Sequence, residues 1–207
     1  MWKRFFSRQA RKPSGLFGRI IAKRIFDKGN DALNTAMVDL VAAQQDNVVL
    51  EIGFGCGTVV REVADRVGSG MVEGIDFSGA MMAVAGKRNR HHIREGRVRL
   101  VHGDFDSAEY PGNRFDTVCS ANTIYFWPDP ARTCERIHHV LKPGGRVVLA
   151  FVDKSKMDAM PLDMDVFRPI SCDSVRSLLE TVGFASVLVH PVKKDGTMVC
   201  VTACKET

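Results

Sequence analysis

Glu51, Gly53, Gly55 and Gly57 stand in the run VVLEIGFGCGTVV, residues 48 to 60, where an apolar strand ends and a helical pattern begins. Glycines at alternate positions strip the main chain of side chains, so a ligand can approach bare backbone and the N-terminus of the following helix. Asp76 lies nineteen residues beyond Gly57, at the end of a second apolar run, MVEGID. A carboxylate in that place can accept both hydrogen bonds of a ribose diol. A dinucleotide fingerprint, GxGxxG, would put its third glycine at residue 58, where this chain has Thr58. The loop instead reads GxGxG with an acid two residues before the first glycine, which counts against a dehydrogenase.

That loop resembles the one in class I S-adenosylmethionine-dependent methyltransferases, which has the form (D/E)xGxGxG. Four later segments are similar to that family's, in its order: VEGIDFS at 72–78, HGDFDS at 102–107, FDTVCSANTIYFWPDP at 115–130 and LKPGGRVVLAF at 141–151. The resemblance covers roughly residues 45 to 204. It implies S-adenosyl-L-methionine as cofactor, held by Gly53, Gly55 and Gly57, by Asp76 with its neighbour Phe77, and by Asp104 and Phe105 at the adenine. Glu51 falls near the expected place of the methionyl ammonium, where a carboxylate helps to neutralise the charge. The plainer alternatives are surface salt bridges for the acids and core packing for Phe105. Lys142-Pro143-Gly144-Gly145 reads as a structural stop between helix and strand.

Methyl transfer from a sulfonium asks mainly for orientation and a dry pocket, and sometimes for a base. Asn122, Tyr125, Phe126 and Trp127 follow the fourth strand, where open parallel sheets place their ligand crevice. Asn122, counted in both the catalytic and the cofactor site, can hold a polar acceptor. Tyr125 with Trp127 can box a cationic or aromatic group; equally, the aromatics can simply pack the lip of the crevice. The family's nucleic-acid adenine methylators carry Asn/Asp-Pro-Pro-aromatic here. This chain has Asn122-Thr123-Ile124-Tyr125, which argues against that substrate. His102 and His190 are candidate bases near strand ends. No histidine or cysteine spacing suits a metal site, and the six scattered cysteines read as reduced thiols in a cytoplasmic protein.

The elements that must position these residues alternate. Strand-like runs at 48–52, 71–75, 98–102, 115–120 and 146–152 are separated by helical stretches at 58–67, 79–92 and 131–141. A helix at 172–182 precedes two more strand-like runs, 184–190 and 197–204, joined by Lys193-Lys194-Asp195-Gly196, a hairpin signal. The expected fold is therefore α/β: a Rossmann-like, seven-stranded, mostly parallel sheet with a terminal antiparallel hairpin and helices on both faces.

At 207 residues, with 45% hydrophobic and 26% charged residues, the chain has the composition of one globular unit. The net charge of +5 is uneven: residues 1–30 hold nine bases and one acid, so the rest is slightly acidic. Residues 1–12 read as a basic, aromatic tail, with helices expected over 16–28 and 31–44. Two units follow: a basic arm with helices, 1–45, and a cofactor-binding domain, 46–207. The arm is either a lid over the site or a membrane-surface element in which residues 1–28 meet anionic lipid, peripheral at the inner membrane face. RNA binding and targeting are the remaining readings of the arm. The expected activity is in-line methyl transfer to a small molecule or lipid headgroup. The alternatives are a non-enzymatic cofactor-binding scaffold docked through the arm and, more weakly, an RNA methyltransferase. Nothing in the sequence sets the oligomeric state.

Overall fold

The computed structural model describes residues 2–14 and 31–207. The helix expected over 16–28 lies outside the described residues. Residues 1–12 read as a tail, but Trp2–Arg11 form a helix, α1. Its bases Lys3, Arg4, Arg8 and Arg11 are exposed while Ser7 is buried, so docking against the rest of the protein supplies the partner that the short segment lacks alone.

Seven strands follow: β1 (Val48–Ile52), β2 (Met71–Asp76), β3 (Val98–His102), β4 (Phe115–Ala121), β5 (Leu141–Val152), β6 (Phe184–Pro191) and β7 (Met198–Lys205). They make one sheet in the order β3-β2-β1-β4-β5-β7-β6. The first five strands are parallel, and β7 runs antiparallel between β5 and β6. The expected α/β architecture with its terminal hairpin is the one observed. One face is covered by α2 (Asp31–Val41), α3 (Thr58–Ala64) and α4 (Gly79–Arg88), which bury Leu33, Met37, Val60, Met81 and Ala85 against it. A short α5 (Arg90–Arg94) extends α4. The other face takes α6 (Pro130–Val140) and, after a four-residue α7 (Lys154–Met157), α8 (Cys172–Val182), which bury Ile137 and Leu179 beside Phe115 and Leu149.

Local chemistry sets the element ends. Ser78 accepts from Met81 N to cap α4, Asp129 caps α6 ahead of Pro130, and Gly183 ends α8 at φ 100°. The fifth strand begins at Leu141 rather than at 146, because Leu141 already pairs with Phe115 before the register shifts across Lys-Pro-Gly-Gly. Asp116 pins this irregularity: both its oxygens lie 2.8 Å from Lys142 Nζ, and Oδ2 accepts from Val48 N at 2.8 Å. Asp116→Ala leaves the first amide of β1 without its partner and is expected to destabilise the protein by about 1–3 kcal/mol. A urea unfolding curve with a lowered midpoint and an unchanged slope is the expected reading.

Candidate active site

The carboxyl ends of β1, β2 and β4 open into a cavity of about 460 Å³, within the roughly 300–1,000 Å³ of small-molecule sites. The glycine loop forms one wall, and its three glycines do different work. Gly53, at φ 74°, lies under Thr123, whose Cγ2 would collide with any Cβ there. Gly55, at φ 49°, has nothing within 4 Å of an added Cβ and leaves its backbone open to the cavity. Gly57 faces away: a Cβ on it would stand 2.6 Å from Asn89 Nδ2 and 2.7 Å from Ala85 Cβ, so this glycine lets α3 and α4 approach each other.

Asp76 sits at the end of β2, its Oδ1 accepting from Ser78 N at 2.8 Å and its Oδ2 from Gly55 N at 2.9 Å. Burial raises its carboxyl above the ordinary range despite those two bonds. Each oxygen keeps a further lone pair for a ligand. Phe77, Asp104 and Phe105 also line the cavity. Asp104 Oδ1 accepts from Asp106 N at 3.0 Å, which turns the loop. Phe105 is buried, with the Arg136 guanidinium 5.6 Å from its ring centre. Asp106 is a wall residue that the motifs did not single out. It accepts from Thr133 Oγ1 at 2.9 and 3.0 Å, and only its position two residues after Asp104 hinted at it.

Glu51 lies deeper. It is 3% exposed, and its Oε2 is buried with no hydrogen-bond partner among the described residues. Burial, and then the charge of nearby Asp76, push its carboxyl up to about 8. An orphaned buried acid of this kind is a poor structural element and a good receptor for a cation.

The remaining wall is apolar. Asn122 takes φ 55°; its N–H donates to Ala150 O at 2.8 Å and its Oδ1 accepts from Tyr125 OH at 2.9 Å. The Tyr125 hydroxyl also accepts from Val152 N, so the ring walls the cavity while the oxygen is engaged by the protein. Burial raises the phenol's pKa further. Phe126 packs 4.8 Å from Phe167, and Trp127, Met157, Met160 and Leu162 complete this side. His102 bonds Phe77 O at 3.2 Å and His190 bonds Thr202 Oγ1 at 2.9 Å; neither is in the wall.

The helix α1 roofs the cavity with Lys3, Phe6, Ser7, Ala10 and Arg11. Ser7 Oγ accepts from Asp163 N at 3.1 Å, Ser78 Oγ donates to Pro13 O at 2.7 Å, and Lys12 Nζ stands 5.5 Å from the Phe77 ring centre. None of these contacts could be read from the arm's composition, because their partners lie some 65 and 156 residues away.

A family model described as a methyltransferase domain matches residues 49–145, the stretch that carries the glycine loop, Asp76 and Asp104. That match and the relatives support a class I S-adenosylmethionine-dependent methyltransferase. The chain is 27% identical over 205 residues to the ubiquinone/menaquinone biosynthesis C-methyltransferase UbiE of Azotobacter vinelandii, covering 89% of this chain and 78% of that protein. It is 38% identical over 106 residues to phosphoethanolamine N-methyltransferase 2 of Caenorhabditis elegans, covering 51% of this chain but only 24% of that relative. Among solved structures, a methyltransferase from Aquifex aeolicus superposes with a TM-score of 0.74 at 22% identity, over 90% of this chain and 97% of that one, a likeness of fold. S-adenosylmethionine is the methyltransferase's cofactor, and the residues present fit it. The bare backbone at Gly55 leaves room beside the Asp76 carboxylate, and the orphaned Glu51 oxygen offers an acceptor to a cationic group. As an enzyme it is not the scaffold that the basic arm also suggested.

Proposed function

We propose that this enzyme methylates an apolar, ring-bearing acceptor of the quinol class that carries a hydrophobic tail. The observation behind this reading is the division of the cavity wall. Its four acids, Glu51, Asp76, Asp104 and Asp106, all lie on the glycine-loop side, and residues 121–128 and 152–167 contribute aromatic, aliphatic and neutral polar groups only. A phosphorylated amine seated against that second side would bury its charges unpaired there, which is costly, because the cavity's cations, Lys3 and Arg11, stand on the α1 roof. The UbiE relative, which matches most of its own length, points the same way.

Asp76 and Phe77 hold the ribose, Asp104 and Phe105 the adenine, Gly53 and Gly55 the chain between, and Glu51 the ammonium. When bound, S-adenosylmethionine would supply a methyl group on a sulfonium, to pass in line to the acceptor's electron pair with neutral thioether sulfur as the leaving group and a proton lost from the acceptor. Asn122, with its Oδ1 occupied by Tyr125, turns its Nδ2 donor to an acceptor oxygen; Tyr125 is the positioning residue behind it. The aromatic wall excludes water. α1 serves as the lid, held by Ser7 to Asp163 and, just beyond the helix, by Pro13 to Ser78, whereas α2 packs on the sheet, so the expected 1–45 unit divides and the catalytic unit includes α2.

The test is labelled methyl transfer to two defined acceptors: a detergent-dispersed, demethylated prenyl naphthoquinol and phosphoethanolamine. Label in the organic phase with the quinol is the expected result. Label on phosphoethanolamine alone, or on neither acceptor, overturns the reading.

A further inference from the structure

Residues 87–99, KRNRHHIREGRVR, hold six bases and one acid, and none of them lines the active-site cavity. The fold sorts the six bases into two groups. Arg97 is engaged by Glu95 and by Ala64 O, Arg99 lies 3.6 Å from buried Glu73, and Arg88 reaches Thr58 Oγ1. Lys87, Arg90 and Arg94 are exposed and make no ion pair or hydrogen bond with a described residue.

These three share one surface. Asn89, at φ −98° and ψ 12°, breaks the helix between α4 and α5, but Asn89 N still donates to Ala85 O at 2.8 Å and Ile93 N to Asn89 O at 2.9 Å, so the four-residue bonding of α4 is carried across into α5. Spacings of three and four residues then stack Lys87, Arg90 and Arg94 on one face, with Ile93, itself 39% exposed, at its edge. Ala85, Asn89 and His92 fill the buried side. Like charges at this spacing repel one another, so helix stability does not account for them. An anionic partner does.

The chemistry narrows that partner. Guanidinium forks match phosphate oxygens. The ring at this face among the described residues is the His91 imidazole, which is paired with Glu95 at 3.2 Å and packed against His92 rather than presented to a nucleobase, whereas an exposed aliphatic side chain among bases suits the headgroup boundary of a bilayer. We propose that the α4–α5 face formed by Lys87, Arg90, Ile93 and Arg94 docks the enzyme on an anionic phospholipid bilayer. The choice of lipid over other polyanions rests partly on the tailed-acceptor reading above, since such an acceptor resides in membranes.

Co-sedimentation of the full chain with phosphatidylcholine vesicles, with and without phosphatidylglycerol, tests the proposal. Salt-sensitive binding to the anionic vesicles is expected. The Lys87→Gln/Arg90→Gln/Arg94→Gln variant should partition about 100-fold more weakly, equivalent to roughly 1 kcal/mol for each lost base, with α1 accounting for any remainder. An unchanged thermal melt shows that the variant folds. Equal binding of the variant and the parent chain, or no preference for anionic vesicles, overturns the proposal. So does tighter, variant-sensitive binding to duplex RNA. Transfer to the detergent-dispersed quinol should be unaffected by the variant. Vesicle binding lost in the variant while the parent methylates no quinol therefore sinks the substrate reading and leaves the docking face standing.

Discussion

Asp76→Ala is expected to weaken S-adenosylmethionine binding by about 100-fold or more. Two hydrogen bonds from a diol to an ionised carboxylate contribute about 1.5–3 kcal/mol each, and both are lost. The variant also leaves Gly55 N and Ser78 N without their acceptor, so the glycine loop loses the group that holds it against β2. Asp76→Asn is informative because it preserves shape: one of its two positions becomes an NH₂ pointing at a backbone N–H, so it too should bind at least roughly tenfold more weakly. Calorimetric titration measures both, with a thermal melt to show that the fold persists. Unchanged affinity in the alanine variant would remove Asp76 from the cofactor site.

Glu51→Gln should move stability and binding in opposite directions. In the ligand-free enzyme this carboxyl titrates at about 8 instead of 4.5, so between those values the folded protein keeps a proton that the unfolded chain releases. Stability therefore falls as pH rises through that window, by roughly 3 kcal/mol from Glu51 at neutral pH. Glutamine cannot ionise, and the variant should melt at a higher temperature than the parent at pH 7–8 and at nearly the same one near pH 4.5. Binding follows the reverse logic. An ammonium against Glu51 requires the carboxylate, so binding at neutral pH expels one proton, and over the range below neutrality affinity increases by up to about tenfold for each unit that the pH is raised. The Gln variant should bind about tenfold or more weakly at neutral pH and expel no proton. Titrations in two buffers of different ionisation enthalpy read this directly; a buffer-independent heat in the parent enzyme would rule out the assignment.

Both predictions start from residues that the sequence made visible, for a physical reason. Glu51, Gly53, Gly55 and Asp76 lie at the ends of short apolar runs, and in a parallel sheet every such end faces the same edge. Knowing the strands thus amounts to knowing which residues converge. Gly57 was legible as a glycine the loop requires, but not as the contact between α3 and α4, since that depends on where Asn89 and Ala85 come to rest. Asp106 escaped notice because one acid near another gives no sign of which points inward. The arm read as a tail because ten residues cannot hold a helix alone.

Strand and helix order, the hairpin at the end of the sheet and the glycine loop were written in neighbouring residues, because periodicity, capping and turn formation act within a few positions of the chain. The perturbed Glu51 carboxyl, the closing of α1 over the cavity, the engagement of the Tyr125 hydroxyl and the sorting of bases 87–99 into paired and free were decided by the tertiary structure alone. Desolvation and pairing depend on which distant groups exclude water from one another, and only the folded chain brings those groups together.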